Sequence, residues 1–485
     1  MRFAASLSTV SFCSLAFLLV AGSAVAPAAA DDALDALLAK SRAASGAPYR
    51  FHVVSRSRET DDGHEYTVTT ETEGLKYRAR KCTHGLCTSG FYFDGERSFD
   101  TNFNDTALPL SERVDGLQLT LRAIASYDFT APDFRANGGS VQSREPILRD
   151  GKKFLRISVA PRLGALLDAV IDPDSGLVIG VISDARRLAF EFRDQRKVGD
   201  RITLPYEIEL NGATIEKFDD RSIEAAPLAA PAGISPHFSS GPVTVDMTRN
   251  DAPLVPCTVG GENVACLLDT GNSGLSISSE LATKLGLTVQ TGGGAVGGTG
   301  GAIVGVVKAP ALGVGGATYP SARYVVLYNL HTSGYDVVLG ADAFANARVT
   351  LDFQTRTVTI ASATGAASPA ANSLPLEFEN FVPTIPIGFG SFTTQLAVDT
   401  GDASAVELAA DFAALHPSAI GADVTGKVGN AAVSGLRVTS TKRLQATDRG
   451  VIGSGLLQHF VATFDYARGR LGLVPAEHDA QVKPE

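Results

Sequence analysis

Between Tyr49 and Asp220 the chain alternates apolar and polar positions in run after run. The runs are YRFHVVSRSRE, EYTVTTETE, LKYRARKC, SGFYFDGERSFD, KKFLRISVAP, LLDAVIDPDSGLVIGVISD, LAFEFRDQRKV, RITLPYEIELNG and ATIEKFDD. A period of two, broken by turn residues, predicts successive antiparallel strands with one dry face and one wet face. Ahead of them, residues 33–46 (ALDALLAKSRAASG) place apolar side chains at helical spacing and end on a glycine, which predicts a short amphipathic helix. Residues 31–225 therefore read as an α+β domain with a curved antiparallel sheet. Prolines among Ala, Ser and Gly at 226–242 then read as a linker.

Beyond the linker the pattern changes to apolar runs that end in small polar turns, and it occurs twice. With a constant offset of 130, LVPCTVGGENVACLLDTG (254–271) lies over TIPIGFGSFTTQLAVDTG (384–401) without a gap. Pro256 falls on Pro386, Gly260 on Gly390 and Asp269 on Asp399. The register runs on into two helix patterns, SSELATKLGL (278–287) over LAADFAALHP (408–417). Each copy later shows two apolar residues and a glycine, Val338-Leu339-Gly340 and Val451-Ile452-Gly453, followed by a strand that contains an acid. A duplicated unit explains this: 243–361 and 374–476, joined by a second linker at 362–373 and closed by a polar tail, 477–485, expected to fray. The fold class expected for the whole chain is mainly β.

Composition and charge narrow the partners. With 44% hydrophobic and 19% charged residues the chain can bury a core, and its 49 glycines and absence of tryptophan suit a turn-rich β protein. The net charge of −10 is spread without a basic block, so nucleic acid is not an expected partner. Residues 1–30 combine Arg2, the apolar core SFCSLAFLLV and Ala28-Ala29-Ala30, which reads as a secretory signal cut after Ala30. The alanine-rich signal suggests a bacterial protein, periplasmic or secreted, and no later stretch is apolar enough to span a bilayer.

Export permits disulfides, and four cysteines remain after the signal. Cys82 and Cys87 are expected to pair with each other. Cys257 and Cys266 are also expected to pair, facing one another across a hairpin that turns at Gly261-Glu262. Cys82, His84 and Cys87 are too few ligands for a metal, so neither metal nor cofactor is expected. Gly292–Gly297 matches a dinucleotide fingerprint by letter, but no helix pattern follows. Asn104-Asp105-Thr106 is a glycosylation acceptor by pattern only, and Asp352 and Asp465 read as strand or turn residues.

The repeated Asp-Thr-Gly carries the chemistry. A strand that ends in this tripeptide delivers a carboxylate to a tight turn, the glycine allowing the turn and the threonine offering a hydroxyl to fix neighbouring loops. Two such turns about a twofold axis cannot ionise both carboxylates, so one proton is shared over a water that can attack a peptide carbonyl. At these residues the chain resembles the aspartic peptidases, over roughly residues 243–476. The resemblance implies two retropepsin-like β-barrel lobes in tandem, in a pepsin-like bilobal arrangement within a monomer. It implies catalysis by Asp269 and Asp399, with Thr270, Gly271, Asn272, Thr400, Gly401 and Asp402 in support. It also implies a flap at Gly294, Ala295, Val296, Gly297 and Gly298, and a polypeptide substrate. The second copy is shorter before its downstream glycine and is expected to lack a flap, and Asp402 adds a third acid beside the pair.

The amino-terminal sheet more weakly resembles LolA/LolB-type lipoprotein carriers, which implies a hydrophobic or acyl-chain ligand on its concave face. The expectation is thus an exported aspartic endopeptidase. Its alternative is a protein of the same fold that has lost hydrolysis and binds a peptide or lipid.

Overall fold

The computed structural model describes residues 27–484 except 62–63, 84–85, 111–115, 150, 250, 291–302, 329, 365–371, 391, 443–448 and 478–481. The fold is mainly β. Most of the expected signal segment lies outside the described residues, and a helix runs over Pro27–Ser45.

The alternating runs form one 13-stranded antiparallel sheet. Its first strand, His52–Asp61, pairs at the centre with its last, Ala213–Glu224 (Val53 opposite Ile223), and the meander runs outward from that pair in both directions. One arm ends at Ala107–Pro109 and the other at Ser140–Arg149. A second helix, Gly116–Ala125, buries Leu119, Ala123 and Ile124, and Ile124 joins a core with Ile157, Ala169, Val178 and Val181 of the sheet. The alternation pattern gave no place to this helix, although Leu117, Leu121 and Ile124 already stand at its apolar spacing. A cavity of about 690 Å³ beside the central strands is lined by Arg50, His52, Glu73, Arg201 and Arg221 together with Phe51 and Ile223.

The segment expected as a linker at 226–242 is anchored rather than loose. Leu228 and Ile234 are buried, Asn346 donates to the carbonyls of Ala232 and Ile234, and His237–Phe238 adds a strand beside Ala317–Tyr319. The expected frayed tail is likewise paired in part: Val482–Pro484 lies antiparallel to Ala431–Val433.

Two further sheets follow, each built around one Asp-Thr-Gly turn. The first has nine strands, and the second pairs Ile387 with Val428 so that its sheet closes on itself. A six-stranded sheet takes three strands from each repeat and joins them. At its middle Ala347–Asp352 pairs with Phe460–Asp465, Thr350 stands opposite Thr463, and their hydroxyls are 3.0 Å apart. The pseudo-twofold relating the repeats thus passes between two equivalent threonines. Asp352 and Asp465 accept backbone N–H groups of the turns that follow them, Gln354 and Thr355 in one case and Arg468 in the other.

Two details of register differ from expectation. The hairpin of the first repeat turns at Gly260-Gly261, both at positive φ (58° and 89°), because a two-residue turn matching the strand twist needs residues free of a Cβ. Cys257 therefore stands opposite Val264 and Cys266 opposite Val255. The disulfide still forms, as a diagonal bridge with Cα atoms 6.0 Å apart. Cys82 and Cys87 are directly opposite and also bonded.

The second difference is in the offset of 130, which holds through Asn272 and Asp402 but not beyond the turn. Gly340 N–H donates to Gly274 O whereas Gly453 N–H donates to Ala405 O, so the second turn holds one extra residue. The helices that follow, Ser279–Lys284 and Ala410–Leu415, are offset by 131.

Candidate active site

Each Asp-Thr-Gly is held by the same frame. The strand Glu262–Leu268 runs parallel to Val337–Leu339, and Asp269 N–H donates to Leu339 O at 2.9 Å. In the second repeat Phe392–Val398 runs parallel to Gly450–Ile452, and Asp399 N–H donates to Ile452 O at 2.9 Å. Gly340 and Gly453 sit where the turn crosses this strand. A Cβ on Gly340 would strike the carbonyls of Asn272 and Gly274, and one on Gly453 those of Asp402 and Ser404. That close approach explains why an apolar pair is followed by glycine in both copies.

The two threonines cross-link the turns. Thr270 N–H donates to Thr400 Oγ1 and Thr400 N–H to Thr270 Oγ1, both at 3.0 Å. Each hydroxyl in turn donates to the opposite strand, Thr270 to Val398 O at 2.6 Å and Thr400 to Leu268 O at 2.7 Å. All four bonds are buried, so the turns are fixed to each other by groups that water does not reach.

The cross-link brings the carboxyls of Asp269 and Asp399 together, each seated over the glycine of the opposite turn and each acting on the other's titration. Gly271 N–H donates to Asp269 Oδ1 at 2.8 Å, and Gly401 N–H to Asp399 Oδ1 at 2.9 Å. Each glycine also lies under the opposite acid. A Cβ on Gly271 would overlap the Asp399 carboxyl, and one on Gly401 would lie 2.7 Å from Asp269 Cγ. Glycine at the third position is thus what lets the carboxyls meet.

Burial pushes both carboxyls above the usual carboxylate range. For Asp399, raised furthest, the charge of Asp269 is the next cause. Asp402 raises both, and the backbone donors Gly271 and Gly401 oppose the rise at Asp269. The two groups are raised together, and their titration belongs to the pair.

Asn272 and Asp402 are equivalent turn residues. Asn272 Oδ1 accepts Gly274 N–H at 3.1 Å and Asp402 Oδ1 accepts Ser404 N–H at 2.7 Å, while Asn272 Nδ2 also reaches Ser276 Oγ at 2.9 Å. Either side chain makes this local turn, which accounts for the tolerance of a third acid here.

Three neighbours were not singled out from the sequence. Burial, and next the Asp269 charge, push the half-buried Tyr335 phenol up. Tyr466 is buried against Phe344 and Phe378, with ring centroids 5.3 and 4.8 Å away, and after burial both carboxyls raise it further. Asp342, two residues beyond Gly340, is fully buried behind the first turn. Only the closeness of Tyr335 and Asp342 to Val338-Leu339-Gly340 could have drawn notice to them.

The expected flap residues Gly294, Ala295, Val296, Gly297 and Gly298 lie outside the described residues. In the first repeat the helix-to-strand connection spans 285–302; in the second it spans 416–420, so much of the missing length falls there. Among the described residues no group of three or more His, Cys, Asp or Glu could hold a metal ion, and no helix is long and apolar enough to cross a membrane.

Residues 255–343 match a family model described as Aspartyl protease. No curated protein matches the chain. The matched span contains Asp269 and Gly340 and stops short of the second repeat, so what is said of Asp399 rests on the geometry above.

Proposed function

We propose that the protein is an aspartic-type endopeptidase acting outside the cytoplasm, with Asp269 and Asp399 as its catalytic pair in a single-chain active site. The observation that carries this reading is the mutual seating of the two carboxyls, each against the glycine of the opposite turn. An acid pair needed only for folding gains nothing from facing a like charge under burial, which is a costly arrangement kept for chemistry.

A water between the carboxyls meets a base and an acid at once. The ionised member takes a proton as the water oxygen attacks the peptide carbonyl, and the protonated member donates to the carbonyl oxygen. Collapse of the tetrahedral intermediate returns a proton to the leaving amine and leaves the pair sharing one proton again. The raised values keep that proton on the pair above the pH at which an ordinary carboxyl loses it. The two disulfides support an oxidising compartment.

The test is cleavage of an unfolded protein by the full chain, wild type beside Asp269→Ala and Asp399→Ala. The reading expects product from wild type alone. Equal cleavage by all three, or by none, rejects it.

A further inference from the structure

The amino-terminal sheet does not merely adjoin the first repeat. Its loop between the strands Ser98–Asn102 and Ala107–Pro109 enters the space behind the Asp269 turn. The loop is organised by itself. Asn102 Oδ1 accepts Asn104 N–H at 2.9 Å and Thr106 N–H at 3.2 Å, Asp105 takes a left-handed conformation, and Arg78 pairs with the Asp105 carboxylate. Because Asn102 Oδ1 is occupied by these donors, its Nδ2 is left to donate outward.

It donates to two groups of the first repeat: Ser273 O at 3.2 Å, inside the turn that follows Asp269, and Asp342 Oδ1 at 2.7 Å. Asn104 repeats the logic. Its Oδ1 accepts Arg323 N–H at 2.9 Å, and its Nδ2 donates to Arg323 O at 2.9 Å and Asp342 Oδ2 at 2.7 Å. Arg323 Nη1 returns a bond to Phe103 O at 3.0 Å. The Phe103 ring lies against Gly274, where an added Cβ would come within 3.2 Å of it.

Asp342 is the receiving post. It is fully buried, it accepts from both asparagines, and burial pushes its carboxyl up. Residues 272–275 are thus held from one side by Gly340 and Ala341, whose N–H groups meet Gly274 O and Asn272 O, and from the other by Asn102. Asn104 is engaged in this contact, so the glycosylation pattern it begins is used in another way.

We infer that Asn102 and Asn104 of the amino-terminal sheet are positioning residues for Asp269, acting through Asp342 and Ser273 to set the turn that carries it. The inference deepens the peptidase reading and rests on it for its kinetic arm only. The equivalent place in the second repeat is Gly455, which offers no such post. The amino-terminal sheet is therefore part of what makes the first carboxyl competent, and it is a handle through which a partner of that sheet would alter the rate.

The experiment uses the full chain. Asn102→Asp keeps the oxygen that organises the loop, removes the outward donor and sets a second carboxylate on Asp342. Amide exchange at 271–275 is expected to quicken more than exchange elsewhere in the first repeat, with the fold retained. On a peptide substrate kcat is expected to fall about tenfold to a hundredfold, the scale of an ångström-size misplacement, with KM within about twofold. Adding Asp342→Asn restores a donor and acceptor pair and is expected to recover part of both readouts.

Unchanged exchange at 271–275 overturns the inference. So does a rise in KM matching the loss in kcat, or a double variant no better than the single one. If wild type and Asp269→Ala are equally inactive, the peptidase reading has failed; the exchange arm then decides the positioning role alone.

Discussion

The cross-link between the turns gives the sharpest energetic test. Thr270→Val keeps the shape of the side chain and removes one hydroxyl, which leaves two buried partners without a bond: Thr400 N–H, now 3.0 Å from Oγ1, and Val398 O, now 2.6 Å from it. Each orphaned buried group costs about 1–3 kcal/mol, so the pair costs about 2–6 kcal/mol. The methyl that replaces the hydroxyl returns no more than about 0.8 kcal/mol. Thr270→Ser is the control, since it keeps the hydroxyl and loses only a methyl worth about 0.8 kcal/mol. Thr400→Val leaves Thr270 N–H and Leu268 O unbonded and is expected to cost the same as Thr270→Val, because the arrangement is reciprocal. The assay is denaturant unfolding followed by amide exchange in 254–278 and 384–409, which isolates these sheets from the amino-terminal one. If Thr270→Val and Thr270→Ser unfold at the same denaturant concentration, the hydroxyl does not bear the load assigned to it and the reasoning fails.

Two predictions concern pH. Asp402→Asn keeps the local turn, as Asn272 does in the first copy, but removes a charge that raises both carboxyls of the pair in addition to burial. The alkaline limb of kcat/KM is expected to move to lower pH; a limb that stays in place refutes the role given to Asp402. Asp399→Asn abolishes the titration of a group raised well above its ordinary value by burial and then by Asp269. Such a group favours folding below its unfolded value of about 3.9, and that contribution is lost as pH rises through the folded value. The variant is therefore expected to be more stable than wild type at neutral pH, with the advantage gone below the ordinary carboxyl range. Thermal unfolding across pH checks this, and a gap that does not depend on pH counts against it.

What could be read from the sequence was what repeats with a short period or a fixed tripeptide. Alternation marks strands because a sheet with one wet face writes its burial into every second residue, and Asp-Thr-Gly is legible because the turn admits few other residues. The pairing of Cys257 with Cys266 was legible; its diagonal register was not, since Gly260-Gly261 and Gly261-Glu262 are both acceptable turn pairs by letter and only the twist of the strands chooses. The extra residue between Asp402 and Ala405 was hidden for a similar reason: an ungapped overlay that matches the tripeptides absorbs a later one-residue slip in a run of small residues. Asn102, Asn104 and Asp342 were beyond reach of any local pattern. They are 238 and 240 positions apart, and polar residues in a loop carry no periodic signal of what they face.

The two Asp-Thr-Gly turns are alike in backbone and unlike in what braces them from outside. Behind the first, Asp342 receives the amino-terminal sheet. Behind the second, the Ser454 hydroxyl lies 2.8 Å from Asp251 O and 2.9 Å from Asp402 O, so its one proton ties the turn to the segment that leads into the first repeat. The brace on Asp399 is thus internal to the paired repeats, whereas the brace on Asp269 depends on residues far upstream. The difference has a directional consequence. Any change at Asn102 or Asn104 should loosen 271–275 and leave 401–405 as protected as before, because the Thr270 and Thr400 bonds pass between strand ends and do not run through the outer halves of the turns. Matched loosening of both segments would mean that the cross-link transmits the disturbance and that the turns move as one body, and the separate bracing described here would then have no kinetic meaning.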